Sequence, residues 1–224
     1  MDTYAKDVEL GHRVNAHLLA MQIENPFKDG MYPQPAEEPV TELGIENRFS
    51  EIMGMLGLDL TDDSLKDTPG RVARMFCREI FYGLNYDNFP KCTTVDNKMS
   101  YDEMVIVNNI NAQSFCEHHF VSIDGIAHVA YIPKNKVLGL SKINRVVDFF
   151  CRRPQIQERL THQIHETLRM ILDTADVIVV IDAAHQCVKS RGIQDINSRT
   201  VTSKVSGKFR EVPEARAEFM ALIR

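Results

Sequence analysis

The chain has 224 residues, enough for one large domain or a domain with an appendage, and a hydrophobic fraction of 44% suits a globular protein. A net charge of −5 argues against a general nucleic-acid-binding surface, and the longest apolar runs fall far short of the roughly 18 residues a membrane span needs. The stretch MDTYAKDVELGHR lacks the basic-then-apolar pattern of a secretory signal, and five scattered cysteines (77, 92, 116, 151, 187) make no disulfide framework, so a cytoplasmic protein with some cysteines serving as ligands or nucleophiles is expected.

Residues 5–24 place Leu10, Val14, Leu18 and Met21 at helical steps. The Pro-rich NPFKDGMYPQPAEEP (25–39) follows as a loop or linker, so the first helix is expected to be an arm outside the main core. This divides the chain into an N-terminal helix and linker (1–40) and a main domain (41–224). Residues 41–57 suit a second helix with Phe49, Ile52, Met53 and Leu56 as its apolar stripe. In DTPGRVARMFCREIFYGL, Thr68 suits an N-cap, Pro69 the first turn and Gly83 the stop.

From about residue 103 the pattern becomes extended. EMVIVNNINAQSF reads as a strand with an irregularity near Asn108–Asn111, and HFVSIDGIAHVAYIP as a hairpin turning at Asp124-Gly125. Ser141 suits the cap of a helix running to about Cys151, with Ile143, Val146, Val147 and Phe150 inward. Pro154 opens a helix striped by Ile156, Leu160, Ile164, Leu168, Ile171 and Leu172. DVIVVIDAAHQCVKSR then reads as a buried strand, and if it stays extended His185, Cys187, Lys189 and Arg191 share one face. TVTSKVSGKF is a last strand before a short helix from Pro213. The order specifies an α+β fold with an antiparallel sheet.

The chemistry concentrates in two stretches. In SFCEHHF, Cys116 and His119 are spaced so that a turn brings both onto one ion, although such a pair alone also arises by chance. Cys187, distant in sequence, supplies a second thiolate. Three protein ligands leave a fourth position for water, as in catalytic zinc sites; a closed structural site would recruit His118 or His185 as well. Otherwise those two histidines stand beside the ion and can move protons near neutral pH. Lys142 and Arg145, with Ser141 near a helix start, and Lys189 and Arg191 beyond Cys187, offer cations for a polyphosphate, or simply a solvated surface. Gln157 and Glu158 lie in a first helical turn, where a carboxylate either answers the helix dipole or grips an amidine-like edge such as that of guanine.

Taken together, CEHHF, YIPKNKVLGLSKINRVVDFF, RRPQIQERLT, HQCVKSRGI and DTPGRVARMF resemble the GTP cyclohydrolase I family, particularly its bacterial form, from about residue 45 to 222. The resemblance implies a zinc enzyme that converts GTP and water to formate and 7,8-dihydroneopterin triphosphate. It makes Cys116, His119 and Cys187 the zinc ligands and His118 and His185 the proton-handling histidines. Ser141 joins them as a candidate for later proton transfers. Ser141, Lys142, Arg145 and Arg191 fall on triphosphate- or ribose-contacting positions, Gln157 and Glu158 on guanine-recognising ones, and Arg71 and Arg74 where a neighbouring subunit reaches the phosphates. The implied architecture is the tunnelling fold, an antiparallel sheet with helices on one face and an N-terminal helical arm. Its subunits pair sheets edge to edge in rings that stack as a decamer, with active sites at subunit junctions. Two other readings remain: a different tunnelling-fold enzyme acting on a pterin or deazaguanine, and a non-catalytic zinc-stabilised binding protein with a closed four-ligand site.

Overall fold

A computed structural model of the chain describes residues 4–27 and 38–223. Most of the Pro-rich stretch expected as a linker therefore lies outside the described residues. Helix α1 (Val8–Ala20) is capped by Asp7, whose carboxylate accepts from the Leu10 N–H at 3.0 Å. Val14 and Leu18 are fully buried in the main core, which corrects the expectation of an arm lying apart from it. Gly11 makes the docking possible: a Cβ there would collide with the Tyr86 carbonyl. Met21 lies past the helix end and is exposed.

Helix α2 (Glu38–Met55) buries Met53 of its expected stripe but leaves Ile52 48% and Leu56 72% exposed. Helix α3 (Thr68–Arg74) passes directly into a π-helical turn, Met75–Ile80. Asp67 rather than Thr68 takes the cap position, without a side-chain bond, and Pro69 occupies the first turn as expected. The turn ends before Gly83, whose N–H donates to the Arg152 carbonyl at 2.9 Å.

The strands are β1 (Thr94–Asp96), β2 (Val105–Asn111), β3 (Ser114–Cys116), β4 (Ser122–Tyr131), β5 (Lys136–Leu138), β6 (Pro154–Gln155), β7 (Val177–His185) and β8 (Thr200–Val205). β1 pairs with β5, and the main sheet runs β6-β3-β4-β7-β8 with β2 also on β4. All these pairings are antiparallel except β3 with β6. The irregularity expected near Asn108–Asn111 is a register shift between Val107 and Ile110, with Asn109 left-handed at φ 53°.

The hairpin expected at Asp124-Gly125 does not form, because β4 runs straight through it and pairs with β7 from Ile123↔His185 to Tyr131↔Val177. Gly125 faces Ala183 across that pairing, and a Cβ on it would lie 2.6 Å from the Ala183 Cβ and 2.7 Å from the Asp182 carbonyl oxygen. The glycine serves close strand approach, which the sequence pattern cannot distinguish from a turn.

Helices α4 (Leu140–Cys151) and α5 (Gln157–Leu172) cover one face of the sheet. Gly139, not Ser141, holds the α4 cap position, and no side chain closes it. Ile143, Val146, Val147 and Phe150 point inward as expected, as do Leu160, Ile164, Leu168 and Leu172 of α5. Val177, Val179, Ile181 and Ala183 of β7 join them in the main core. Ile178 and Val180 face the other way, with Ala130, against Phe209 of α7 (Lys208–Glu211) and Phe219 of α8 (Pro213–Leu222). Helices therefore cover both faces, not one, because β7 is apolar on both sides and each must be shielded.

One buried carboxylate on α5 makes the fold sensitive to acid. Burial pushes the Glu166 carboxyl up, but the His165 bond (3.0 Å) and the charges of His165, Arg169 and His162 outweigh it and hold the group down to about 2. A folded value below the ordinary 4.5 stabilises the fold fully above the latter, and the contribution is lost as pH falls toward the former. Glu166→Gln is expected to lower Tm at neutral pH yet to lose less further stability than the parent between about pH 5 and pH 3. Thermal unfolding across that range checks this.

Candidate metal centre and active site

The chain reverses just after β3. The Phe120 N–H donates to the Cys116 carbonyl and the Cys116 N–H to the Val121 carbonyl, both at 2.9 Å, and Phe120 is left-handed at φ 54°. This turn carries Cys116 and His119. Opposite it, β7 ends at His185 and the chain enters a short helix, α6 (Gln186–Lys189). The alternation expected for His185, Cys187, Lys189 and Arg191 is thereby corrected: a helical turn replaces the strand period of two with one of 3.6 residues, so the four do not share one face. The Ile123↔His185 pairing sets α6 beside the turn.

The ligand atoms of Cys116, His119 and Cys187 all lie within 4.8 Å of one another. Cys116 Sγ is 3.8 Å from His119 Nδ1, close to the separation of about 3.6 Å that a sulfur and a nitrogen take on one tetrahedral zinc. Both cysteines are free rather than bonded to each other. Burial, followed by a hydrogen bond with the Cys116 thiol, raises the Cys187 thiol; a bound cation reverses that preference and favours thiolate. Two soft sulfurs and one imidazole form a donor set that suits zinc.

His118 and His185 stand beside this group without belonging to it. His118 is largely exposed, with Nδ1 3.7 Å from Cys116 Sγ and Nε2 3.9 Å from the Glu117 carboxylate. Burial holds the His185 imidazole below its ordinary value, with the Glu158 charge acting in the opposite direction. His185 Nε2 lies 2.7 Å from Gln157 Oε1. Gln157 is itself 2% exposed, and its amide nitrogen donates to the Ile181 and Thr200 carbonyls and to Thr202 Oγ1. That side chain, expected at a guanine, is turned inward in this structure, with its oxygen beside His185. Glu158, next to it, is exposed.

Arg191 Nη1 lies 2.8 Å from His119 Nε2, the ring nitrogen away from Cys116, while Lys189 ends α6. The other expected contacts lie elsewhere in the chain. Arg145 sits over the Tyr4 ring at 5.1 Å, and Lys142 and Arg145 both act on Cys92, whose thiol burial pushes up to about 12. Exposed Ser141 adjoins them in α4. Arg71 pairs with Asp67 at 3.6 Å, and Arg74 lies beside Gly70 in α3. Within one chain, none of the described bonds joins these five residues to the cysteine–histidine group. Sequence reasoning missed Glu117 and Arg159, an ion pair at the turn, although both lie inside the motifs CEHHF and RRPQIQERLT.

An α+β sheet whose adjoining turns gather two thiols and an imidazole, with His185 two residues from Cys187, presents a candidate metal centre of the kind hydrolases use. A profile of the GTP cyclohydrolase I family matches residues 45–224. The chain is 59% identical over 201 residues to GTP cyclohydrolase 1 of Mannheimia succiniciproducens, covering 90% of this chain and 92% of that one. It is 52% identical over 208 residues to GTP cyclohydrolase 1 of Shewanella denitrificans (93% and 94%), and 49% over 224 residues to that of Yersinia enterocolitica (100% and 99%). The chain belongs to the GTP cyclohydrolase I family. No described helix is long and apolar enough to cross a membrane.

Proposed function

We propose that this chain hydrolyses GTP at guanine C8, releasing formate and forming 7,8-dihydroneopterin triphosphate at the start of tetrahydrofolate and pterin synthesis. The observation that carries the reading is the convergence of Cys116, His119 and Cys187, within a chain of this family. These three residues would hold zinc, which as a Lewis acid activates water at neutral pH.

The chain's own groups do the rest. The Gln157 amide is fixed by the acceptors around its nitrogen, so its oxygen accepts from His185 Nε2–H. His185 Nδ1 is then the atom that takes up a proton and hands it to purine N7. The depressed basicity of that ring makes its protonated form a stronger acid. Exposed Glu158 grips the guanine edge beside it, and His118 and Ser141 serve the later proton transfers. Arg191, Lys142, Arg145 and Ser141 hold the triphosphate and ribose, with Arg71 and Arg74 reaching in from a neighbouring subunit. Binding this remote charged tail fixes C8 in place.

That division of labour calls for a tunnelling-fold homo-oligomer, a decamer, with sites at subunit junctions. The lack, among the described bonds of one chain, of any that joins the α3 and α4 cations to the metal ligands supports it. The family match beginning at residue 45 supports a catalytic unit from about residue 41, with residues 1–40 as helical arm and linker, the arm docked on the core. Free cysteines suit a reducing cytoplasm.

The test is incubation of purified, metal-analysed protein with GTP, following formate and pterin fluorescence. Formate in step with pterin, lost on chelation and restored by zinc, is expected; zinc-loaded protein that yields no formate overturns the reading. Sedimentation at a single-chain mass would overturn the decamer.

A further inference from the structure

Glu117 lies between a metal ligand and a proton-handling histidine, and its carboxylate is held by α5. Arg159 Nη1 donates to Glu117 Oε2 at 2.5 Å, and Nη2 reaches Oε1 at 3.5 Å, a two-pronged grip. The two side chains are only 16% and 23% exposed, whereas those of the surface pair Arg48–Glu51 are 76% and 53% exposed. Beside the pair, the Glu117 N–H donates to the Gln155 carbonyl at 3.0 Å, and Cys116 pairs with Gln155 in β6. Three successive residues at the start of α5 therefore take three tasks. Gln157 holds His185, Glu158 stays exposed, and Arg159 holds the metal turn.

We propose that Arg159 is a positioning residue: acting through Glu117, it fixes the turn bearing Cys116 and His119 against the helix that orients His185. The inference rests on reading the site as a metal-dependent GTP hydrolase. The clamp has a task there because His118 and His119 are exposed and only Phe120, 49% exposed and set against the Phe76 and Phe81 rings, packs on its neighbours. A ligand displaced by about 1 Å is enough to cost on the order of 100-fold in rate. Arg159 touches neither metal nor substrate, so its loss lowers kcat and metal affinity together rather than raising KM.

The test uses full-length Glu117→Ala, Arg159→Ala, their double variant, Arg159→Lys and Glu117→Gln. Zinc affinity is measured by chelator competition, and kcat and KM with GTP. Each alanine variant is expected to lose about 10–100-fold in zinc affinity and in kcat. KM should stay within about threefold. The double variant should be no worse than either single one, since both remove the same pair. Arg159→Lys keeps the charge but not the fork, and recovers only part. Losses that multiply in the double variant overturn the proposal. So does Arg159→Ala that raises KM alone, which marks a substrate contact. Glu117→Gln keeps the side-chain volume, and a folded variant with parental zinc affinity overturns it too. Zinc affinity is read without GTP, so a parent protein that makes no formate defeats the hydrolase reading separately from the clamp.

Discussion

Cys187→Ser is expected to abolish both metal retention and formate release from GTP, whereas His185→Ala abolishes formate release and keeps the metal. The two residues are two apart in sequence, one inside the cluster and one outside it, so the contrast separates ligand from proton carrier. Serine offers zinc a poor, protonated oxygen in place of a thiolate, leaving only Cys116 and His119, and two ligands do not hold the ion against chelators. His185 lies outside the cluster, bonded to Gln157 at 2.7 Å, and its removal leaves the three donor atoms where they are. Losing a general acid–base group costs about 10²–10⁴-fold in rate. Metal analysis and formate release on the same preparations decide the matter. A folded His185→Ala that has lost its metal would make His185 a ligand and reverse the assignment.

The stretch around these residues also marks how far sequence reading reaches. Cys116, His119 and Cys187 were legible because ligand chemistry depends on residue type, and few types bind zinc well. Helices α4 and α5 were legible because their buried positions repeat at the helical period. The α6 turn was not: residues 186–189 carry no breaker that would end a strand, and the helix forms only after β7 runs out of partner at His185. Gly125 misled in the other direction, since Asp-Gly is a turn signal unless a neighbouring strand needs the space, and Ala183 does. The inward turn of Gln157 was hidden for a similar reason. Its acceptors, the Ile181 and Thr200 carbonyls, belong to strands far along the chain, and local spacing carries no record of them.

The docked N-terminal helix leads to the largest expected effect on stability. Glu24→Ala should cost about 3–5 kcal/mol, because it leaves the buried Arg153 guanidinium without its counter-charge. Arg153 is fully buried and the Glu24 side chain is 2% exposed; they meet at 3.0 Å. The guanidinium lies over the rings of Tyr86, Phe149 and Phe150, each about 5 Å away, and also donates to Asn25 Oδ1, the Tyr86 hydroxyl and the Gly83 carbonyl. None of those neutral groups can replace a carboxylate. At about 2–4 °C per kcal/mol for a chain of this size, Tm should fall by roughly 6–20 °C. Replacing Glu24 and Arg153 together with methionine should cost less than Glu24→Ala, since an apolar pair leaves no stranded charge. Deleting residues 1–27 should cost more, because Val14 and Leu18 leave the core as well. The same segment also ties into the sheet: the Asn25 amide donates to the Pro154 carbonyl at 2.8 Å, and β6 pairs with β3 at Cys116. Thermal unfolding of the three variants tests the argument. Glu24→Ala within about 1 kcal/mol of the parent, the range of an ordinary surface ion pair, would refute it.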